Sequence, residues 1–313
     1  MPMHEIAICI CTFERPAGLG ALLGGIERQR LVQLDDRAVT IVVVDNSPAA
    51  TAREACSALS AGWRFRVSYV HEPRKGLAVA RNRALAAAAA TGAALVAFID
   101  DDEMPEPSWL ERLVERITVS GAAAACGPVY PIFQSPPPPW LPVDAYTTRQ
   151  RARDGFAEMG HTGNSIFDAA ALRSAGLSFD ARYNESGGED TIFFKKLRAK
   201  GLTIAWAEDA IAHELVPPQR MSARWLWQRW SRTGEIEAHL GSANPDSLKG
   251  RLVSMVRGLV RIAAGSLRVL GAVATSRWRG PSSVLASTYT FCRGLGLIAS
   301  AVGYRHRTYA TKG

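Results

Sequence analysis

The chain has 313 residues, long enough to bury a sizeable core in one large domain with an appendage or in two modest ones. Hydrophobic residues at 47% against 21% charged exclude a disordered or collagen-like polypeptide. The net charge of +8 and pI near 9.5 favour anionic partners, without choosing among nucleic acid, anionic lipid and nucleotide phosphate. Cys9, Cys11, Cys56, Cys126 and Cys292 form neither an even set nor paired Cys-x-x-Cys clusters, which argues against a disulfide scaffold and structural zinc. The first residues lack the basic, apolar and small-residue succession of a secretory signal, so the folded part is expected in the cytoplasm.

Residues 5–11 and 40–44 are short β-branched runs ending in polar residues, the pattern of buried parallel strands, with a helix expected between them at 17–30. A third strand at 66–70 leads through the loop EPRKG into an Ala-rich helix at 77–90 and a strand at 94–99. This alternation predicts a doubly wound α/β sheet. Ligands of such sheets sit beyond the carboxyl ends of the strands, and those ends read CTFERP, DNSP, EPRKG and DDDE.

Successive prolines in SPPPPWLP, residues 135–142, force an extended linker or rim loop. Residues 160–205 then read as a loop, a short strand, a glycine turn and an amphipathic helix at 190–199, and no internal repeat is apparent. From 252 to 275 the chain is apolar except for Arg257, Arg261 and Arg268, which fall within roughly 40° of one another on a helix. That pattern predicts a helix lying in a membrane interface with its basic stripe toward headgroups or solvent. Residues 284–304 approach the length of a span but carry Arg293 near the middle. The competing expectation is two helices packed on the rest of the protein.

Four constellations carry chemistry. FIDDDE, residues 98–103, delivers three Asp and a Glu from one apolar strand, and like charges so close need a cation or basic group to neutralise them. Oxygen-only ligands suit Mg2+ or Mn2+ shared with substrate phosphates, and strand alternation sets Asp100 and Asp102 on one side with Asp101 opposed. An acidic turn or helix cap is the plain alternative. GGEDTIFFKKL, residues 187–197, sets Glu189 and Asp190 in a first helical turn, where acids are favoured by the helix dipole and where one could also act as a general base. His213 follows a strand-like run and is either structural or a divalent-ion ligand. RWLWQRWSRTG, residues 224–234, interleaves Arg with Trp as a segment closing over a diphosphate or an interfacial belt would; no nucleic-acid-binding signature accompanies it.

Taken in order, CTFERP, VVVDNS, KGLAVARNRAL, FIDDDE, HTGNSIF and GGEDTIFFKKL resemble the family 2 glycosyltransferases of GT-A fold, within them the bacterial polysaccharide-assembly branch. The resemblance covers roughly residues 5–235. It implies a catalytic domain at 1–235, with a nucleotide-binding half at 1–103 and an acceptor half at 104–235, followed by a helical membrane-associating region at 236–313. Thr12, Glu14 and Arg15 are then expected to line the nucleotide pocket, Asp45 to accept from the base, and Arg81 and Asn82 to pack beside it. Asp100 would meet ribose or sugar and Asp102 the metal, with His213 as a further metal or phosphate contact. Asp190 is implied as the catalytic base, with Glu189 the runner-up. Gly163, Asn164, Asp101 and Trp230 would line the sugar side, and Arg229 the diphosphate.

The implied reaction inverts the anomeric centre of a nucleotide-sugar donor, uridine-linked by analogy, with Mg2+ or Mn2+ as cofactor. The acceptor is a hydroxyl of a glycan or lipid-linked molecule, and the setting is the inner face of an anionic membrane. Gln228, Arg229 and Trp230 echo part of the processive synthases' Gln-x-x-Arg-Trp element, but several long spans are missing, so one addition per encounter is expected. The alternatives are a catalytically silent sugar-nucleotide or membrane-binding module, or a nucleotidyltransferase, although CTFERP lacks the glycine-rich phosphate loop that the latter needs.

Overall fold

The computed structural model describes residues 5–59, 62–150, 152–184, 187–240 and 247–304. Two compact units emerge, the first comprising residues 1–130, 148–184 and 189–215 and the second residues 131–147, 185–188 and 216–313. The last stretch of the second unit runs from Val216, and the unit also takes in residues 131–147 from within the expected 1–235 domain. Residues 241–246 and 305–313 of the expected C-terminal region lie outside the described residues.

In chain order the first unit opens with β1 (Ile6–Thr12), α1 (Pro16–Glu27), β2 (Val39–Asp45), α2 (Arg53–Ala58), β3 (Arg66–His71), α3 (Leu77–Ala90), β4 (Leu95–Ile99) and β5 (Glu103–Pro105). It continues with α4 (Trp109–Ser120), β6 (Ala124–Cys126), β7 (Val129–Phe133, running into the second unit), β8 (Ala152–Arg153), β9 (Phe156–Ala157) and β10 (Asn164–Asp168). Next come α5 (Ala169–Ser174), α6 (Glu189–Ala199), β11 (Ile204–Trp206) and β12 (Ala212–Val216). Nine strands form one sheet in the order β3-β2-β1-β4-β10-β6-β11-β9-β8.

β1, β2 and β4 read as unbroken apolar runs because both faces of this sheet are covered. Against one face pack Leu19, Leu22 and Ile26 of α1 and Trp109, Leu113 and Ile117 of α4, spaced three or four residues apart on each helix. Ala78, Ala84 and Ala88 of α3 and Phe193, Phe194 and Leu197 of α6 cover the other. α1 starts at Pro16, which fits a first helical position. It stops at Glu27, short of the expected residue 30, where buried Gln29 leaves the helix to bond Glu106 O and Leu110 N.

The chain passes from β1 through β2 to β3 on one side, then crosses to place β4 on the other side of β1, both contacts being parallel. Strand order reverses there, so a crevice opens beyond the carboxyl ends of β1 and β4. Those ends are Thr12 and the acidic run that begins at Asp100. β10 pairs antiparallel with β4 and sets Asn164 across from Ile99 at the same end.

In the second unit, α7 (Ala223–Leu240), α8 (Leu248–Arg279), α9 (Ser282–Ser287) and α10 (Tyr289–Ala301) pack through glycines. A Cβ on Gly296 would lie 1.8 Å from the Ser231 carbonyl, so only hydrogen permits that approach of α7 and α10. The polyproline segment falls in this unit, and its neighbour Tyr146 stacks on Trp225 at 5.5 Å and donates to Arg220 O at 2.7 Å.

The basic stripe of α8, expected toward headgroups or solvent, is divided: Arg268 is exposed, while Arg257 and Arg261 meet an acid within the unit. Arg257 Nη2 reaches Glu237 of α7 at 2.8 Å, Arg261 and Arg293 bond the same carboxylate, and Arg268 donates to Thr290 Oγ1 at 2.7 Å. A single acid on α7 supplies the counter-charge that the sequence left to headgroups.

Gly296→Ala is expected to destabilise the protein by about 1–3 kcal/mol through overpacking. Gly271→Ala, where a Cβ meets open space, should instead stabilise by up to about 1 kcal/mol. Thermal unfolding of the two variants checks the contrast.

Candidate active site

The run from Asp100 to Glu103 folds as a tight turn, with Glu103 N donating to Asp100 O at 3.0 Å and Asp100 N to Glu103 Oε2 at 3.3 Å. Its carboxylates point different ways. Asp101 turns back to the end of β1, accepting from Thr12 Oγ1 at 2.7 Å and Arg15 Nη1 at 3.0 Å. The same guanidinium reaches Asp102 at 2.9 Å. Asp100 faces α3, where Arg81 Nη2 lies 3.2 Å away. Asp100 and Asp102 keep 42% and 27% of their side-chain surface open, whereas Asp101 keeps 8%, so the first two are the carboxylates a ligand can reach.

Arg81 carries the connection to α6. Its Nη2 holds Asp100, and its Nη1 bonds Glu189 at the first position of that helix. Arg81 and Glu189 are both buried, and Glu189 Oε2 has no hydrogen-bond partner among the described residues. Asp190, the next residue, is half-buried and accepts from Thr191 N at 2.6 Å. The acid strand end and the Glu189-Asp190 pair, about ninety residues apart in sequence, thus converge on one guanidinium.

Six carboxylates, Asp100, Asp101, Asp102, Glu103, Glu189 and Asp190, share Arg81 and Arg15 within this cluster. Burial opposes the charge of Arg81, but Glu189, Asp100 and Asp190 outweigh it and raise its pKa. Burial lifts Asp100, with Arg81 pulling the other way and Asp102 adding to the rise. Burial likewise raises Asp101 despite its bonds to Thr12 and Arg15. Glu103 is pushed well above its ordinary value by burial, then by Asp100 and Glu214. Glu189 is raised by burial against the pull of Arg81. An added divalent cation would relieve this crowding.

Asp100 and Asp102 are hard oxygen donors, and two carboxylates completed by substrate phosphates and water suit Mg2+ or Mn2+. Among the described residues no group of three or more His, Cys, Asp or Glu side chains stands ready as a protein-only cage. His213 does not join the cluster. In the β12–β5 register His213 lies opposite Met104 and Glu214 opposite Glu103, so strand alternation sets Glu214 beside Glu103 and His213 on the other face of the pair. Its Nε2 meets Glu106 Oε1 at 3.0 Å instead.

Other expected site residues spend their hydrogen-bonding capacity on the fold. Asp45 Oδ1 takes Ser47 N and Oγ, and Oδ2 takes Ala52 N and Tyr69 Oη, so four donors fill this fully buried carboxylate before any nucleobase arrives. Asn82 pairs through both ends of its amide with the Phe179 backbone at 2.8 Å each. Asn164, wholly buried, donates to Pro128 O and Ala210 O and accepts from Trp109 Nε1, so it braces β10 and does not present itself to a sugar. Gly163 does border the acids, for a Cβ there would lie 2.5 Å from Glu103 Oε1 and 3.1 Å from Asp100 Oδ2. Glu14 is exposed at φ +54°, a left-handed conformation uncommon for a side chain of its kind. Arg229 and Trp230 belong to the second unit, Arg229 over the Trp225 ring at 5.2 Å and buried Trp230 edge-on to Tyr289.

Three contributors were missed. Asn46 donates to Glu72 O and Arg74 O and accepts from Gly76 N, tying the EPRKG loop to the end of β2. His161, in HTGNSIF, bonds Gly127 O at 3.0 Å and has its pKa lowered by burial against the opposing field of Asp190. Glu214 reaches Glu103 through strand pairing, and only its alternation relative to His213 could have announced it.

The description "Glycosyl transferase family 2" matches residues 7–176, and "Glycosyl transferase family group 2" matches residues 95–298. The succinoglycan biosynthesis protein ExoM of Rhizobium meliloti (strain 1021) is 34% identical over 238 residues, 75% of each chain. The mannosyltransferase PcManGT from Pyrobaculum calidifontis, solved with GDP-Man and Mn2+, superposes with a TM-score of 0.58 at 19% identity, over 95% of this chain and 87% of that one. TarS 1-349 of S. aureus, solved with UDP, gives 0.51 at 14% identity, over 91% and 90%. These solved structures assign the fold, the GT-A arrangement anticipated from the motifs.

Arg81→Met should cost about 3–5 kcal/mol, because it strands Glu189 without its counter-charge. Glu189→Gln in the same chain should recover much of that loss, and a urea double-mutant cycle with coupling below about 0.5 kcal/mol would remove the pair as the clamp. Glu103 binds its proton more tightly folded than unfolded, where its pKa is near 4.5. Its stabilising contribution is therefore complete below that pH and lost as pH rises through the raised native value. Denaturation of metal-free protein across pH should show this slope, and Glu103→Gln should flatten it.

Proposed function

The chain belongs to glycosyl transferase family 2, and from that premise we propose that it transfers a sugar from a nucleotide-sugar donor, uridine-linked by preference, to a hydroxyl of a glycan or lipid-linked acceptor in bacterial polysaccharide assembly. The observation that carries this reading is the convergence of the strand-end acids and the Glu189-Asp190 pair on Arg81. A donor site and a base are needed within one crevice, and this convergence supports both. The UDP and GDP-Man bound in the two similar solved structures are in keeping with a nucleotide-sugar donor.

Asp190 takes the role of general base, removing the proton of the acceptor hydroxyl as its oxygen attacks the anomeric carbon. Glu189 is the poorer candidate because it is buried and engaged with Arg81. One in-line displacement follows and inverts the anomeric centre. Asp102 and Asp100 would hold Mg2+ or Mn2+, whose chemistry is to stabilise the charge of the departing diphosphate. Arg15, bridging Asp101 and Asp102, fixes the strand end and stands where anionic donor groups benefit from a guanidinium. Thr12 positions Asp101, and Gly163 leaves room beside Asp100. The enzyme meets its acceptor at the inner face of the cell membrane, by way of the helices of the second unit.

With nucleotide-sugar donor, acceptor and Mn2+, Asp190→Asn is expected to slow transfer by ~10³-fold while donor KM stays within about threefold. Asp102→Ala should raise the metal concentration required for half-maximal rate. NMR of the product is expected to show the inverted anomer, with nucleoside diphosphate released. Wild-type rates in both variants, or release of pyrophosphate, would end the proposal.

A further inference from the structure

α8 is 32 residues long, about 48 Å at 1.5 Å per residue. Its most apolar 18-residue window has a mean hydropathy of 1.3 and is only 11% buried. A core helix of a soluble domain would be mostly covered, and a leader would stand near the N-terminus, so neither ordinary explanation fits. Leu252, Val256, Leu259, Val260, Leu267 and Leu270 are each 53% to 70% exposed. At about 100° per residue these six fall on an arc of roughly 100°.

The charges of the helix lie elsewhere. Arg257 and Arg261 sit on the opposite side and are taken up by Glu237, with Arg293 of α10 on the same carboxylate, and Arg268 bonds Thr290. The inward seam of α8 is made of small residues: a Cβ on Gly258 would come 2.9 Å from Gly294 O, and one on Gly265 would come 2.5 Å from Phe291 N. Close backbone packing inside and bare aliphatic side chains outside is the inverse of a soluble amphipathic helix.

We infer that α8 lies along a lipid bilayer with this aliphatic face sunk into the acyl-chain boundary, and that Glu237 holds the arginines away from the lipid. The contact is hydrophobic and does not depend on anionic headgroups. Lipid fits better than a protein partner because between Leu252 and Leu270 the arc holds aliphatic side chains and no Tyr, Trp or Arg, the residues that anchor protein interfaces. Lys249 and Arg251 before the arc, and Arg277, Trp278 and Arg279 after it, put basic and aromatic side chains at its two ends, where headgroups accommodate them. The inference deepens the membrane part of the proposed function and rests on it; the chemistry of transfer is a separate matter.

The test is co-flotation of the full chain with vesicles of pure phosphatidylcholine and of phosphatidylcholine with phosphatidylglycerol, at about 0.05 and about 0.5 M salt. Binding to both vesicle types that survives high salt is expected. Val256→Asp with Val260→Asp should weaken it by at least ~tenfold, with circular dichroism and donor-hydrolysis rate unchanged. Arg257→Gln with Arg261→Gln should leave binding to neutral vesicles in place. Binding confined to anionic vesicles and lost in high salt overturns the inference in favour of headgroup adsorption. A lipid-free dimer that the two Asp substitutions dissociate overturns it in favour of a second copy, and an unchanged double-Asp variant overturns it outright. Absence of donor hydrolysis in every form would strike the transferase reading and leave the vesicle result standing.

Discussion

Repulsion among carboxylates at the end of β4 is the constraint that organises the first unit. Three aspartates and a glutamate leave one strand within four residues, and a sheet cannot hold them there unless positive groups meet them. Arg15 comes from the loop after β1, and Arg81 comes from α3. Each is placed by an element whose position the parallel β1–β4 pairing already fixes. The acids are therefore divided by function. Asp101 locks the two strand ends together, Glu103 closes the turn from inside, and Asp100 and Asp102 are left at the opening.

That division explains why the start of α6 is tied to α3 through Arg81. Arg81 is buried and cannot shed its charge, so a second carboxylate beside Asp100 stabilises it. Glu189 supplies that carboxylate from the start of α6, a place where the helix dipole favours an acid. Because Glu189 is held, its neighbour Asp190 is held as well. Tethering the helix start through one side chain leaves the adjacent one in the electrostatic neighbourhood of Asp100 and His161.

Much of this was legible in the sequence, and the parts that were not share a physical cause. Apolar runs ending in CTFERP, DNSP, EPRKG and DDDE announced parallel strands and the side on which polar groups gather, because burial and strand alternation are local properties. The motif order announced the family. What a linear reading could not supply was hydrogen-bond saturation. Asp45, Asn82 and Asn164 look like ligand-binding residues by type and position, yet each is filled by donors or acceptors brought from elsewhere, such as Tyr69, Phe179 and Trp109. Which residue of β12 pairs with Glu103 was equally illegible, since a shift of one residue exchanges the face of His213 with that of Glu214. The arginines of α8 were correctly grouped on one side, but the partner of Arg257 and Arg261 was not foreseen, because Glu237 precedes Arg257 by twenty residues and nothing in α8 itself names it.

The same logic bears on why Asp190, and not Glu189, is the base in the proposed reaction. A group that must take up a proton during the reaction has to be reachable by the acceptor and free to change charge. Glu189 is poorly reachable: it is 3% exposed and bonded to Arg81. Asp190 is half-buried, one residue further along the helix and so turned by about 100° from Glu189. Loss of its charge would leave the Arg81-Glu189 clamp intact. On the proposed reading, the buried carboxylate holds the helix start and the more accessible one beside it meets the acceptor.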